Sequence, residues 1–177
     1  ILEGKEIGTF SKNEMVSNPE NIWSMCWNIN RNRPYDRMIP QDYPDRAPVY
    51  RAILKKEFDK VSGFDTNGQY TDDWSLSRKL NKKSALAKGA VYYHSNPASL
   101  KEVFSQARWI GKNEFIAGAT ARKFKSIVFY SPLFSLVIGA GKSITRQNYF
   151  FIIFKFIYDF GVWISVIKSF VGEKKYK

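Results

Sequence analysis

The sequence predicts an α/β fold: a partial mixed sheet with flanking helices, followed by two C-terminal apolar helices. Three observations lead there. Short runs of β-branched and aromatic residues alternate with short helical patterns between residues 47 and 115. From Ser126 to Gly141 no charged residue occurs. After a polar link over 142–148, Tyr149–Val171 is apolar apart from Lys155, Asp159 and Lys168.

Residues 1–46 are polar and rich in Asn, Pro and Arg, and predict a long irregular stretch. Asn18-Pro19-Glu20 is the one place there that suits a helix start, because proline is tolerated in the first turn and acids favour that end. Pro34, Pro40, Pro44 and Pro48 break the following chain into extended and turn segments. Residues 47–54 read as a strand. Residues 55–61 read as a short helix that turns Phe58 and Val61 inward and stops at Gly63. Leu76 and Leu80, four apart, mark one face of the next helix. Residues 85–93 read as a second strand, interrupted by Gly89. Ser99 caps a helix in which Leu100, Val103, Phe104 and Ala107 repeat at helical spacing.

The chain holds 177 residues, room for one domain with a real core and an appendage. It opens on Ile1 with no secretory signal pattern, and reads as a fragment of a longer protein. A single cysteine, Cys26, excludes an internal disulfide and a thiolate zinc cluster, and suits a small buried hydrophobe. Of the net charge of +12, most lies after residue 100, where 13 Lys and Arg face 4 Asp and Glu. That excess sits beside the most apolar part of the sequence, which favours a surface of anionic membrane lipids over nucleic acid. Tyr149–Val171 is long enough to cross a bilayer of about 30 Å, and the 126–141 run is marginal. Lys155 and Asp159, four apart, can neutralise each other on one helical face. The expected arrangement of 121–177 is therefore a membrane-associated hairpin or a pair of interfacial helices. Basic residues flank both outer ends, Arg122/Lys123/Lys125 and Lys174/Lys175/Lys177, which suits a hairpin with both ends cytoplasmic, although the link also carries Lys142 and Arg146.

Asp72 and Asp73 precede the Trp74–Leu80 helix. They serve either as helix caps that complement the dipole, or as a carboxylate that takes a proton from an incoming hydroxyl. Arg108-Trp109 lies within the later helix, as a basic edge beside a buried indole or as a phosphate ligand beside a flat surface for a sugar ring. His94, the only histidine, ends a strand; as a metal ligand it needs partners. Gly139-Ala140-Gly141-Lys142-Ser143 invites a phosphate-loop reading, but Leu136 occupies the position where that motif requires glycine.

The order of these pieces carries a resemblance. Val61-Ser62-Gly63-Phe64-Asp65 leads to Thr71-Asp72-Asp73-Trp74-Ser75-Leu76-Ser77, then to Gly89-Ala90-Val91-Tyr92-Tyr93-His94 and Ser105-Gln106-Ala107-Arg108-Trp109. Residues 47–115 resemble the C-terminal half of family 2 glycosyltransferases, whose catalytic domain has the Rossmann-like GT-A fold. The apolar segments that follow are similar to the membrane-associated tails of many members. The resemblance implies that residues 1–120 are the acceptor-side half of such a domain, with 121–177 as its membrane-associated part. It implies inverting transfer of a sugar from a nucleotide-sugar donor to a hydroxyl of a glycan or lipid-linked acceptor, on the cytoplasmic face of a membrane.

By position Asp73 matches the family's general base, and Asp72 replaces the glutamate before it. Arg108 and Trp109 match the end of the Gln-x-x-Arg-Trp motif, with Ser105 where the glutamine is expected. Gly63, in the turn where Ser62 replaces a first glycine, is placed with them on the substrate side. His94 matches a histidine that helps some members hold a divalent cation, Mg or Mn, and the resemblance implies that cation for the full-length parent. No Asp-x-Asp occurs in these 177 residues, so the nucleotide-binding half and its cation motif are expected upstream. The alternative is a non-catalytic, membrane-anchored binding or scaffold module.

Overall fold

In the computed structural model, residues 5–65, 72–115 and 120–171 are described. Within them the chain is mixed α/β and separates into two units, one made of 1–15 and 39–93, the other of 16–38 and 94–176.

Four short strands make the sheet of the first unit, in the order β3-β5-β1-β4. β1 (Gly8–Phe10) runs parallel to β5 (Ser84–Leu86) and antiparallel to β4 (Ala52–Ile53), and β3 (Arg46–Ala47) pairs antiparallel with β5. The mixed sheet is as expected, but its strands are cut differently. Residues 47–54 are not one strand: they contribute the end of β3 and all of β4, separated by a bend. Pro48 has no N–H to lend to a ladder, and the Ser84 hydroxyl, donating to Ala47 O at 3.0 Å and Val49 O at 2.6 Å, holds the bend down. Gly8 permits the close approach of this segment, since a Cβ there would lie 2.5 Å from the Tyr50 ring and 2.6 Å from Ala52 O.

The expected strand over 85–93 is also two elements. Gly89 takes φ +77° and turns the chain, so that β5 and β6 (Val91–His94) join different sheets. β6 pairs with β2 (Asn13–Val16), where Glu14, only 4% exposed, accepts from the Arg51 guanidinium at 2.9 and 3.0 Å. The same guanidinium stacks over Tyr92. β1, β2 and a helix thus occupy the stretch expected to be irregular.

That helix, α1 (Ile22–Asn30), belongs to the second unit. Asn18-Pro19-Glu20 does not begin it; these residues form a turn, and Asn21 is the cap, its side-chain oxygen accepting from Trp23 N and Ser24 N. α4 (Leu100–Phe115) starts as expected: Ser99 Oγ accepts from Glu102 N, and the Glu102 carboxylate reaches back to Ala98 N at 2.8 Å. Three helices follow where two apolar ones were expected. The uncharged 126–141 run divides at Tyr130-Ser131-Pro132 into the end of α5 (Thr120–Phe129) and most of α6 (Pro132–Thr145), with a 58° bend between them. Proline at the first helical position and Ser131 as its cap start a new helix rather than continue the old one.

α7 (Phe150–Lys168) is the one described helix that by itself is long and apolar enough to cross a membrane, yet 44% of that stretch is buried by its neighbours. Phe151 and Phe154 pack with Cys26, Trp27 and Ile29 of α1 and with Val103 and Ile110 of α4. Val162 and Val166 pack on Ala107. Each such side chain contributes about 1.5–3 kcal/mol when fully buried. α4 and α7 touch nearly backbone to backbone. A Cβ on Gly161 would sit 2.9 Å from Ala107 Cβ, and one on Gly111 2.9 Å from Ser165 Cβ. Inside this packing Lys155 Nζ donates to Asp159 Oδ1 at 2.8 Å, the neutralising pair anticipated from their spacing.

Candidate functional site

In the first unit the turn after α2 (Lys55–Lys60) is built around left-handed backbone at Ser62, φ +56°, and Gly63, φ +70°. Gly63 N donates to Phe58 O at 3.0 Å, which closes the helix as the glycine predicts. A Cβ at Gly63 would meet Phe58 Cζ at 2.8 Å, so both conformation and space require glycine. Phe58 and Val61 are only half-buried, and Phe58 packs edge-on against Phe64.

The turn is braced to the helix that follows. Asp65 N donates to Ser75 Oγ at 3.1 Å, and the Asp65 carboxylate pairs with Lys79 at 2.9 Å. Lys79 also donates to Gly63 O at 2.8 Å. Hydrogen bonding from Lys79 holds the Asp65 carboxyl below its ordinary range, with Arg78 adding to the effect.

Asp72-Asp73-Trp74 forms a 3-10 turn leading into α3 (Ser75–Leu80). Ser75 and Leu76 are buried and anchor the start of α3, while Asp73 and Trp74 are exposed. Thr71 lies outside the described residues. The Gly63–Asp65 turn and the Asp73 helix start are therefore parts of one braced corner, at which Asp73 is exposed.

In the second unit α4 divides cleanly by face. Val103, Ala107 and Ile110 are buried, while Ser105 and Trp109 are exposed with Arg108 half-buried beside them. The three motif residues thus share the face turned away from the core, at spacings of three and four. Arg108 is held by its backbone, whose carbonyl accepts from Ser165 Oγ of α7 at 2.9 Å. Its Nε is buried and takes no hydrogen bond among the described residues, leaving a guanidinium N–H unsatisfied in a helix otherwise well bonded. Ser105 lines a small hollow of about 210 Å³ with Ser95, Asn96, Pro97, Glu102 and Gln106.

Asp73 and Gly63 fall in the first unit, and Ser105, Arg108 and Trp109 in the second, so neither unit by itself holds both halves of the expected constellation. His94 ends β6, and its carbonyl accepts from Ser17 N at 2.9 Å. Among the described residues no three of His, Cys, Asp and Glu converge as a metal centre. One imidazole without an Asp-x-Asp is too small a donor set, so the described residues do not by themselves build the implied cation site.

Two features escaped the sequence reading. Asn18, Asn28 and Asn96 form a polar clamp that fixes the turn before α4. Asn96 N donates to Asn18 Oδ1 at 3.1 Å and Asn18 Nδ2 returns a bond to Asn96 O at 2.9 Å, while Asn96 Nδ2 donates to Asn28 Oδ1 at 3.1 Å. Asn28 also donates to Pro34 O, Tyr35 O and Arg37 O, ordering the proline-rich segment. The abundance of asparagine before residue 33 was the only hint. Lys142, the residue that drew the phosphate-loop reading, instead caps α1, donating to Ile29 O, Asn30 O and Asn32 Oδ1. The buried thiol of Cys26 is pushed up to about 12 by desolvation.

No family model matches the chain, and no curated protein or solved structure matches it.

Proposed function

We propose that this chain is the acceptor-side part of a membrane-associated, inverting glycosyltransferase of the GT-A type. The observation that carries the proposal is the braced corner of the first unit. An exposed Asp73 stands at a helix start, positioned by the Gly63–Asp65 turn through Asp65, Lys79 and Ser75. A carboxylate exposed on a braced helix start is open to an incoming acceptor, as a base that must meet one requires. In the proposed reaction the acceptor hydroxyl oxygen attacks the anomeric carbon as Asp73 takes its proton. The bond from that carbon to the diphosphate oxygen breaks, and nucleoside diphosphate leaves.

The outward face of α4 supports the second half of the proposal. Half-buried Arg108 would supply a guanidinium for an anionic group, and exposed Trp109 a flat apolar surface against which the C–H face of a sugar packs. A divalent cation, Mg or Mn, belongs to the proposed full-length enzyme, held by donors beyond this chain, and no step above runs through it. Membrane association is supported by α7 and by α6, which keeps Leu133, Val137 and Ile144 exposed along one face. Placement of the catalytic part on the cytoplasmic side is part of the same proposal.

The test is nucleoside diphosphate release from a panel of nucleotide-sugars by membranes containing the intact gene product, with Arg108→Ala alongside. We expect release from at least one donor, and a loss of turnover in Arg108→Ala with an unchanged melting transition. No release from any donor with mixed glycan and lipid-linked acceptors would contradict the proposal, as would an Arg108→Ala protein that turns over normally.

A further inference from the structure

The helices of the second unit differ in which side they bury. α4 follows the rule for water: Val103, Ala107 and Ile110 are buried, while Lys101, Glu102, Ser105 and Gln106 face out. α6 reverses it. Its buried stripe is Ser135, Gly139 and Ser143, at spacings of four, with Gly139 lying against Ile152 and Lys155 of α7. Its outward stripe holds Leu133, Val137 and Ile144, which are 72%, 66% and 71% exposed. Lys142, the charged residue of α6, also turns inward and donates to Ile29 O. Small and polar residues inside with branched apolar ones outside is the pattern of a helix surrounded by hydrocarbon, where small residues make the helix contacts.

α7 stands between the two kinds of surface. Gly161 and Ser165 bring it close to α4, where Ser165 Oγ donates to Arg108 O, and Lys155 meets Gly139 of α6. Were α7 to cross a bilayer, it would draw α4 in with it, and the charges of Lys101 and Glu102 would enter hydrocarbon at high cost. α6 alone, at 14 residues, reaches about 21 Å, short of a hydrocarbon core of about 30 Å.

We infer that the second unit is a monotopic membrane anchor. The outward stripe of α6 lies among the acyl chains of one leaflet, and α7 stays within the protein and does not cross. Charge selects lipid over a second copy of the same face. Lys125, over the Phe129 ring, and Arg146 are both exposed, one before α6 and one after it. Two such faces would bring like charges together, whereas anionic headgroups meet them with opposite ones. The inference rests on the membrane part of the reading above and is independent of sugar transfer.

Two measurements on the full chain test it. The first is flotation with vesicles of phosphatidylcholine and phosphatidylglycerol in equal parts. Leu133→Gln/Val137→Gln should bind about a hundredfold more weakly than wild type, the effect of losing two apolar side chains from hydrocarbon, with an unchanged melting transition. Val91→Gln/Tyr93→Gln, which removes an exposed apolar pair from β6, should bind as wild type does. Equal losses in both variants would replace the α6 face by general stickiness, and no loss in the α6 variant would remove it. A wild-type dimer in water that the α6 substitutions split, without vesicle binding, would assign the face to a second copy. In the second measurement, Thr145→Cys/Val171→Cys is reconstituted from detergent into the same vesicles and treated with a membrane-impermeant maleimide. Both positions are exposed, and Cys26 is buried. Intact mass should show molecules with two labels or none, because both ends of α7 share one side. One label per molecule would mean that α7 crosses, and would overturn the inference even where the α6 variant fails to fold. Failure of the wild type either to float or to enter reconstituted vesicles would instead overturn the membrane reading itself.

Discussion

Lys155→Met probes whether α7 is held by protein on the side that carries its charges. Asp159 is 0% exposed and accepts from Lys155 Nζ at 2.8 Å, so removing the lysine strands a carboxylate among packed side chains. Breaking a buried pair from one side costs about 3–5 kcal/mol. The reverse change, Asp159→Leu, should cost less, about 1–3 kcal/mol, because Lys155 lines an open hollow and its stem allows the ammonium to lean outward. Replacing both together removes both desolvation penalties and should restore stability to that of the wild type or above.

For a unit of this size a loss of 3 kcal/mol corresponds to a fall of about 12–24 °C in the melting midpoint. The assay is thermal unfolding in mild detergent followed by tryptophan fluorescence, with all four proteins compared as a double-mutant cycle. A single Lys155→Met that melts with the wild type, or losses that simply add in the double variant, would refute the buried, coupled geometry.

Four further outcomes follow from particular contacts. Gly161→Val drives a side chain into Ala107 and the Phe104 carbonyl and should lower stability by about 1–3 kcal/mol. Gly141→Ala, where nothing lies within 4 Å, should be neutral or stabilising by up to about 1 kcal/mol, and denaturant melts distinguish the two. Cys26, buried and with its thiol raised to about 12, should resist maleimide at pH 8 in the folded protein and react fully on unfolding, as mass spectrometry would register. The Asp65 carboxyl, lowered from 3.8 by Lys79 and Arg78, stabilises its turn at pH values above the unfolded carboxyl's pKa. That stabilisation should be lost as pH falls through the lowered value, seen as weakened hydrogen-exchange protection of the Asp65 amide relative to neutral pH.

Local signals with a single physical cause were legible in the sequence. Ser99 announced the start of α4, Gly63 the end of α2, and the 103/107 spacing the buried face of α4. What depended on distant partners was not. The division of 47–54 into two strands follows from Ser84, more than thirty residues away, bonding the Ala47 and Val49 carbonyls. The order hidden in residues 1–46 depends on strand partners at 52–53, 84–86 and 91–94, and on the fit of asparagine amides to Asn96. Pro132 lies inside the uncharged 126–141 run, but its conversion of that run into two helices needed the Ser131 cap and the bend. Of the candidate site, the sequence placed Ser105 only by resemblance and had allowed for a buried indole at Trp109, which is exposed. Beyond the abundance of asparagine before residue 33, it carried no sign of the Asn clamp that fixes the turn before α4.

The base assignment is tested most directly by Asp73→Asn in the intact protein, with turnover and donor binding measured on the same preparation. Loss of general-base action predicts turnover lower by about 10²–10⁴-fold, with the donor dissociation constant within about twofold of wild type. Ordinary turnover by the asparagine variant would remove Asp73 from the chemistry, and with it the reason for reading this corner as an active site.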